Sequence, residues 1–321
     1  MRDLDGRIAV VTGGGSGMGR ELVHQLATMG CHVATCDVAD DALADTKAYA
    51  DDAAPAGTVV TTFVADVADE QQVLAFRDSV ADAHRTDHIN LLFNNAGIGG
   101  GGSFVLDSRA EWEATFGVCW GGVYLCTRAF LPMLLVATEG HVVNTSSVNG
   151  FWASLGPTVA HTAYSAAKFA VKGFTEALIT DFRLNAPHLH ASVVMPGHIG
   201  TSIVFNSGRY LGRDPKELTD EQVGQIRERL TRAGIDASGA SDEDIRHGVQ
   251  ARAELFRDAA PMTAAHAATV ILDGVRNDRW RILVGTDAEL LDRLVRETPE
   301  DAYEPTFTRR LQGDGAFGDV A

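Results

Sequence analysis

The chain has 321 residues, of which 45% are hydrophobic and 22% are charged, and its formal net charge is −16. This composition predicts a globular protein with ample core, and the negative charge argues against nucleic acid or an anionic membrane as a partner. The longest strongly apolar runs, such as Leu131 to Ala137, fall far short of the roughly 20 residues that a membrane helix needs. The first 12 residues do not have the pattern of a secretory signal, so we expect a cytoplasmic protein.

Seven short apolar runs alternate with helical patterns along the chain. In order, they are RIAVV, HVATC, TVVTTFV, INLLF, HVVNTS, ASVVM and RILVG. This alternation predicts a Rossmann-type, doubly wound α/β fold, with a parallel sheet of about seven strands and helices on both faces. Because the runs are almost wholly apolar, the strands are expected to be buried on both sides.

A long polar insertion, residues 202–260, interrupts the alternation before the last strand. Thr219 and Gln222 have the spacing of a capping box, and Ser241 begins a second helix with an acidic first turn. These helices predict a lid rather than a separate domain. The predicted organisation is a single domain over residues 1–286 and a C-terminal extension of unassigned role over residues 287–321.

The strongest single motif directly follows the first strand. It is the segment TGGGSGMG, residues 12–19, a glycine-rich turn that leads into an amphipathic helix. Glycines here allow the backbone to approach a pyrophosphate, whose charge is met by the free amides of the helix N-terminus. A plain tight turn is the alternative, but the position after the first strand favours dinucleotide binding.

An acidic residue, Asp37, ends the second predicted strand. A carboxylate there can accept hydrogen bonds from both hydroxyls of the adenosine ribose, and it repels a 2′-phosphate. No Arg or Lys lies between Gly13 and Gly19 to bind such a phosphate. We therefore expect NAD in preference to NADP. The alternative is that Asp37 only caps the following helix.

Together these motifs resemble the short-chain dehydrogenase/reductase family over residues 5–202 and 260–286. The segments that carry the resemblance are TGGGSGMG at 12–19, Asp37, Asp66 with Val67, NNAG at 94–97, NTSS at 144–147, YSAAK at 164–168 and PGHIGT at 196–201. In this order and spacing the set is highly specific. The resemblance implies hydride transfer between a nicotinamide and a secondary alcohol or ketone.

The resemblance identifies Ser147, Tyr164 and Lys168 as catalytic residues. Removal of a hydride from an alcohol requires a base for the hydroxyl proton, and Tyr164 would be that base, or the acid in ketone reduction. A free tyrosine has a pKa of about 10, and the Lys168 ammonium one helical turn away is expected to lower it. Ser147 would hold the substrate oxygen, with Ser146 as the competing assignment.

The resemblance also assigns a set of residues to the cofactor. Asp66 and Val67 would contact the adenine, Asn95 to Gly97 would pack on the ribose, and Ile199 and Thr201 would anchor the carboxamide. The full expected set is Gly13, Ser16, Gly17, Met18, Gly19, Asp37, Asp66, Val67, Asn95, Ala96, Gly97, Tyr164, Lys168, Pro196, Gly197, Ile199 and Thr201.

The chain departs from the family at Cys119. Relatives usually carry an asparagine there, which kinks a helix and supports a water-linked proton path to the lysine. A thiol cannot replace the donors and the carbonyl of an amide, so Cys119 is either a neighbour of the water that completes this path or a small core residue. The four cysteines do not have paired spacing and are interpreted as buried free thiols.

Two histidines and three apolar residues lie near the expected substrate. His161 and His198 have no metal-ligand spacing, so no metal is predicted, and a structural role is favoured over substrate binding. Phe151, Trp152 and Leu155 either form a wall of the substrate pocket or are structural.

We expect an NAD-dependent short-chain dehydrogenase or ketoreductase whose alcohol or ketone is bulky and mostly apolar. The glycines at 99–102 and the lid leave room for such a substrate. Apolar helices near 119–136 and 163–178 favour a homo-oligomer, a dimer or a tetramer. Two alternatives remain: an epimerase or dehydratase that retains NAD, and a non-catalytic NAD-binding sensor or scaffold in which Cys119 marks lost activity.

Overall fold

Nine strands occur within residues 1–156, 159–232 and 234–313, which are the residues that this computed structural model describes. Seven of them form one sheet, and two short strands form a separate pair. The seven are β1 (Ile8–Thr12), β2 (His32–Asp37), β3 (Val60–Val64), β4 (Leu91–Asn94), β5 (Gly140–Thr145), β6 (Leu189–Pro196) and β9 (Arg281–Val284). The pair consists of β7 (Ile199–Gly200) and β8 (Met262–Thr263).

All neighbours in the seven-stranded sheet are parallel, and their spatial order is β3-β2-β1-β4-β5-β6-β9. The order reverses between β1 and β4, where Val10 pairs with Leu92. In doubly wound sheets, ligands bind beyond the carboxyl ends of the strands at this switch point. The predicted Rossmann-type sheet of about seven strands is confirmed.

The sheet is buried on both faces, as the unbroken apolar runs predict. Successive side chains of a strand point to opposite faces. Val10 accordingly belongs to one core cluster, which includes Phe130 from a covering helix. The next residue, Val11, belongs to a second cluster, which includes Ile271.

Twelve α-helices occur in the described part of the chain. They are α1 (Gly17–Thr28), α2 (Asp40–Ala53), α3 (Glu70–His84), α4 (Arg109–Phe116), α5 (Gly122–Leu135), α6 (Thr162–Asn185), α7 (Ile203–Tyr210), α8 (Asp220–Arg232), α9 (Asp242–Asp258), α10 (Ala264–Arg276), α11 (Thr286–Glu297) and α12 (Pro305–Gly313). Short 3₁₀ turns cover Val148–Gly150 and Pro299–Asp301. Helices α1 and α10 pack against each other, as do α3 and α5.

A π-helical segment, Gly117–Gly121, joins α4 and α5 into one continuous helix. The joined helix, Arg109–Leu135, is long and apolar enough to cross a membrane by length and composition, although 56% of its most apolar window is buried inside the protein. The strongly apolar runs within this helix are short, as the sequence analysis states, because polar residues interrupt them. Val118, Cys126 and Phe130 belong to the hydrophobic core, as expected for a core helix.

The polar insertion contains three helices, α7 to α9, whereas the sequence predicts two. Helix α8 has the predicted capping box: the Gln222 N–H donates to the Thr219 hydroxyl at 3.3 Å, and the Thr219 N–H donates to the Gln222 side chain at 3.0 Å. Ser241 forms the same reciprocal box with Asp244 at the start of α9. The sequence does not predict α7, because two turns give too little periodicity to detect. The role of the insertion as a lid stays a prediction.

The C-terminal extension folds back onto the loop that follows β5. Leu291 of α11 and Phe307 of α12 belong to one hydrophobic cluster with Val148 and Trp152. The remainder of the predicted extension, residues 314–321, lies outside the described residues.

Candidate active site

The glycine loop lies at the carboxyl end of β1, at the switch point of the sheet. Gly13 has a φ of 68°, and a Cβ there would lie only 2.7 Å from the Cα of Ala96. The Thr12 hydroxyl accepts hydrogen bonds from the N–H groups of Asn95 and Ala96, at 3.0 and 3.1 Å. A Cβ at Gly19 would overlap the Gly13 carbonyl oxygen. The loop and the NNAG segment therefore fit together only with glycine at these positions.

Helix α1 begins within the glycine loop, with Ser16 as its N-cap residue. The Ser16 side chain forms no capping hydrogen bond to the helix, and it accepts instead from Asn206 Nδ2 at 2.9 Å. Gly17 has a φ of 53°, and a Cβ there would lie 3.1 Å from the Thr201 side chain. A helix N-terminus that has no side-chain cap and is reached past glycines is suited to a pyrophosphate.

Asp37 lies beside the glycine loop at the end of β2. Its Oδ2 accepts from the Gly15 N–H at 3.0 Å, and its Oδ1 accepts from the Ala39 N–H at 3.2 Å. The N-cap residue of α2 is Ala39, so the helix-capping alternative for Asp37 is not what the structure has. The carboxylate is positioned to meet the ribose hydroxyls of a nucleotide bound at the loop.

A cavity of about 420 Å³ opens at this switch point. The expected cofactor residues that line it are Gly13, Ser16, Gly17, Met18, Asp37, Asp66, Val67, Asn95, Ala96, Gly97 and Thr201. The expected residues that do not line it are Gly19, Tyr164, Lys168, Pro196, Gly197 and Ile199. Pro196 ends β6, and Ile199 is buried in the short strand β7. The structure therefore brings together most, but not all, of the expected set.

Helix α7 contributes cavity residues that the sequence analysis does not identify, namely Ile203, Asn206, Arg209 and Tyr210. Their spacing puts them on one face of a helix that directly follows the PGHIGT motif, and this spacing is the signal that could have found them. The Tyr210 hydroxyl donates to Asp66 Oδ2 at 2.7 Å, so α7 bonds to the opposite wall of the cavity. Arg209 is the one cation among the described lining residues, whose other charged members are acidic.

Asp287, which the sequence analysis does not identify, supports the Pro-Gly turn at the end of β6. The buried carboxylate of Asp287 accepts a hydrogen bond from the His198 N–H at 2.6 Å. A Cβ at Gly197 would overlap this carboxylate, so only glycine fits at this position. Gly197 is thus needed for packing beneath the turn, whether or not it also contacts a cofactor.

Ser147, Tyr164 and Lys168 come together beyond the carboxyl end of β5. The Ser147 side chain lies beside the Tyr164 hydroxyl and favours its ionised form. Lys168 follows one turn later on α6, and its Nζ lies 5.3 Å from the centroid of the Tyr164 ring. The Lys168 ammonium donates to the Thr145 carbonyl at 2.8 Å, which joins α6 to the end of β5.

The neighbouring Ser146 faces away from this group. Its hydroxyl donates to the backbone carbonyl of Lys168 at 2.7 Å. Ser147 has an extended backbone, in which successive side chains point to opposite sides. The geometry therefore favours Ser147 over Ser146 for contact with a substrate oxygen.

Burial controls the protonation of Tyr164 and Lys168. Burial raises the pKa of Tyr164 above its ordinary value, with a smaller contribution from Cys119, while the neighbouring Ser147 side chain opposes the change. Burial also lowers the pKa of Lys168. The expected lowering of the Tyr164 pKa was wrong, because removal of the phenol from solvent is the largest influence on it and disfavours the phenolate. Tyr164 is therefore a neutral phenol near pH 7 and has a proton to donate.

Cys119 lies in the π-helical segment beside this group. Its buried thiol donates to the Ile98 carbonyl at 3.1 Å. A Cβ at Gly97 would lie 3.4 Å from Lys168 Nζ and 3.7 Å from Cys119 Sγ, so Gly97 lies between the two groups. All four cysteines are buried and free, which confirms that part of the prediction.

The two histidines differ in their surroundings. The His161 ring lies 4.6 Å from the Tyr164 ring, and burial lowers the pKa of His161 to about 4. Its Nε2 has no hydrogen-bond partner within the described residues. His198 Nε2 donates to the Phe256 carbonyl at 2.6 Å, as a structural histidine does. Residues 1–156, 159–232 and 234–313 contain no cluster of three or more His, Cys, Asp or Glu suited to a metal ion.

The aromatic residues of the loop after β5 have a structural position. Phe151 and Trp152 contact the cluster formed by the C-terminal extension, and Trp152 is only 3% exposed. Leu155 is partly buried, and the next residues of this loop, 157 and 158, lie outside the described residues. Trp152 therefore fits the structural interpretation rather than the wall of a pocket.

Comparison with known proteins gives the family of this chain. The family model described as short chain dehydrogenase matches residues 7–209. The chain belongs to the short-chain dehydrogenase/reductase family. The oxidoreductase SadH of Mycobacterium tuberculosis is 33% identical over 297 residues, which cover 92% of each chain. Levodione reductase of Leifsonia aquatica is 34% identical over 219 residues, which cover 68% of this chain and 79% of that one.

Solved structures of the same family share this fold. A short-chain dehydrogenase/reductase from Burkholderia phymatum in complex with NAD has a TM-score of 0.73 and 30% identity, covering 95% of this chain and 98% of that one. A metagenomic short-chain oxidoreductase in complex with NADP has a TM-score of 0.53 and 30% identity, covering 60% and 83%. As a member of the short-chain dehydrogenase/reductase family, the chain is an oxidoreductase that uses a nicotinamide cofactor. Three features of the site fit a nicotinamide dinucleotide. They are the close contacts that only glycine allows, the start of α1 without a side-chain cap, and Asp37.

Proposed function

We propose that this protein is an NAD-dependent dehydrogenase or ketoreductase of a secondary alcohol or the matching ketone. The observation that carries the proposal is the meeting of Ser147, Tyr164 and Lys168 beyond β5, next to a cavity suited to a dinucleotide. A relative named levodione reductase supports the ketone as substrate class. We propose a bulky, mostly apolar substrate on the basis of the glycines at 99–102 and the long helical insertion.

In ketone reduction, the Tyr164 phenol donates its proton to the carbonyl oxygen of the substrate. The Ser147 hydroxyl holds that oxygen and stabilises the negative charge that develops on it. The Lys168 ammonium, fixed by the Thr145 carbonyl, stabilises the phenolate that remains. When bound, the nicotinamide supplies the hydride donor or acceptor. In alcohol oxidation Tyr164 must first lose its proton, so we expect the rate of oxidation to rise with pH.

Asp37 supports NAD as the cofactor. Its carboxylate lies on the wall of the cavity, where it can accept hydrogen bonds from ribose hydroxyls and would repel a 2′-phosphate. The similar structure from Burkholderia phymatum contains NAD. Arg209 is the described lining residue that could attract a phosphate, so the relative affinities for NAD and NADP are a direct test.

Substitution of Tyr164 tests the reaction. In Tyr164→Phe the proton donor is lost, and kcat should fall by about 10³-fold, while the Kd for NADH stays within severalfold of wild type. The matched control is Tyr49→Phe on α2, whose hydroxyl has no hydrogen bond within the described residues and which should leave kcat unchanged. A Tyr164→Phe variant that retains most of its kcat would remove Tyr164 from this role.

The same assay separates the two alternatives. Purified protein would be incubated with NAD and secondary alcohols, or NADH and ketones, of small, terpenoid, steroidal and aryl classes. Net change in NADH absorbance supports the dehydrogenase. Tight NADH binding without turnover supports a sensor or scaffold, and copurified NAD without net redox change supports the epimerase or dehydratase.

We also propose a homo-oligomer, a dimer or a tetramer, located in the cytoplasm. Tyr124 on α5 and Phe169 on α6 are large apolar side chains with substantial exposure, as expected where two copies pair these helices. Light scattering after size-exclusion chromatography would give the mass, and a monomer over the micromolar range would contradict the oligomer.

A further inference from the structure

The C-terminal segment, residues 286–313, makes a long-range hydrogen bond to the loop after Ser147. Trp152 Nε1 donates to the Ala302 carbonyl at 2.7 Å, although the two residues are 150 positions apart. The Trp152 ring also lies 5.9 Å from the Phe307 ring of α12. A buried indole N–H needs a partner, and here the partner comes from the turn between α11 and α12.

A second hydrogen bond joins the same two regions one residue further along. The Ala153 N–H donates to the Tyr303 hydroxyl at 3.1 Å. Tyr303 is 59% exposed, so burial of its ring contributes little to the core. Its hydroxyl is therefore a contact whose removal should leave the fold intact.

Hydrogen bonds within the loop connect these two contacts to Ser147. Asn149 Nδ2 donates to the carbonyls of Trp152 at 3.0 Å and Ser154 at 2.8 Å, and the Asn149 N–H donates to Ser147 Oγ at 3.1 Å. A Cβ at Gly150 would overlap the Ser146 hydroxyl, so the loop has no space to shift toward α6. A continuous series of hydrogen bonds thus leads from residues 302–303 to the Ser147 hydroxyl.

We propose that Trp152 and Tyr303 are positioning residues, through which the C-terminal segment fixes the direction of the Ser147 hydroxyl. This inference rests on the proposed function and assigns a role to the extension that the sequence leaves unassigned. Ser147 must meet both Tyr164 and a substrate oxygen, and a displacement of about 1 Å at such a group can lower the rate by about 10²-fold. Trp152 and Tyr303 touch neither the reacting atoms nor the nucleotide cavity.

The test compares Tyr303→Phe and Trp152→Phe with the control Tyr49→Phe. In Tyr303→Phe, kcat/KM for the alcohol or ketone should fall by about three- to tenfold, because one hydrogen bond to the loop is lost. The fall should be larger in Trp152→Phe. The Kd for NADH and the melting temperature of Tyr303→Phe should match those of Tyr49→Phe.

A double variant connects the effect to Ser147. If Tyr303 acts through Ser147, adding Tyr303→Phe to Ser147→Ala should reduce the residual activity no further. Hydrogen exchange gives a readout that needs no activity: the peptide containing Ala153 should exchange faster in Tyr303→Phe than in wild type or Tyr49→Phe.

Two outcomes would overturn the positioning role. One is an active wild type whose kcat/KM is unchanged in Tyr303→Phe and Trp152→Phe. The other is exchange at Ala153 that does not respond to loss of the Tyr303 hydroxyl. A wild type without activity on any substrate would instead overturn the proposed function, and the exchange experiment would still report on the attachment of the loop.

Discussion

The glycine loop at 12–19 and the loop at 147–156 both follow buried strands of the same sheet, but different interactions hold them. Close backbone approach fixes the first, because Gly19 lies against Gly13 and Gly13 lies against Ala96. The C-terminal segment fixes the second through two hydrogen bonds, in which the Ala302 carbonyl accepts from the Trp152 indole and the Tyr303 hydroxyl accepts from the Ala153 N–H. The glycine loop is thus fixed by the backbone of neighbouring strand ends in the sheet, whereas the loop after Ser147 is held by a segment that lies outside the sheet.

The largest expected effect on cofactor binding comes from filling the glycine contact. In Gly19→Ala, the new Cβ overlaps the Gly13 carbonyl oxygen, so the loop must shift and the Kd for NADH should rise by about 100-fold. The matched control is Gly173→Ala on α6, where a Cβ meets nothing within 4 Å and the Kd should stay as in wild type. Calorimetric titration measures both. Equal affinities in the two variants would show that backbone approach does not shape the site.

The sheet that carries both loops should weaken in acid. Burial lowers the pKa of His141 in β5 to about 3, below its ordinary value of 6.5. Between these two values His141 is protonated in the unfolded chain but not in the folded protein. The free energy of unfolding therefore falls as the pH drops from 6.5 toward 3. At pH 5, His141 alone lowers the free energy of unfolding by about 2 kcal/mol relative to neutral pH.

Denaturant unfolding at pH 7 and pH 5 would measure this loss. His141→Gln removes the titrating group and keeps an amide that can donate to Ser192, the present partner of His141. The decrease in the free energy of unfolding from pH 7 to pH 5 should then be smaller by about 2 kcal/mol than in wild type. The exposed His247 gives the control His247→Gln, which should show the wild-type drop. If the free energy of unfolding of His141→Gln decreases as much as that of wild type, other groups cause the acid sensitivity.

A smaller effect is expected where the nucleotide site depends on one side chain. Asp37→Ala removes the acceptor for the ribose hydroxyls and the charge that repels a 2′-phosphate. The ratio of the Kd for NADP to that for NAD should fall by about tenfold. Asp41→Ala, which removes another acid lining the same cavity, is the control for a general change of charge. The NAD assignment would lose its support if both variants changed the ratio equally.

The sequence predicts the nucleotide half of the molecule more completely than the remainder. Unbroken apolar runs locate all seven strands, because strands buried on both faces need apolar residues at every position. The capping box at Thr219 and the acidic first turn after Ser241 locate two helices, because these signals depend on residues only a few positions apart. Helix α7 is missed, and with it Asn206 and Tyr210, which bond to Ser16 and Asp66 across the cavity.

By itself, the sequence determined the order of strands and helices, the glycine loop and the one-turn spacing of Tyr164 and Lys168. These features depend on neighbours along the chain, so periodicity and residue type are enough to find them. Tertiary structure alone decided the direction of the Tyr164 pKa shift, because desolvation depends on everything packed around the phenol. It also decided which residues support Ser147, since Trp152 meets Ala302 only after the sheet has formed and brought segments 150 residues apart into contact.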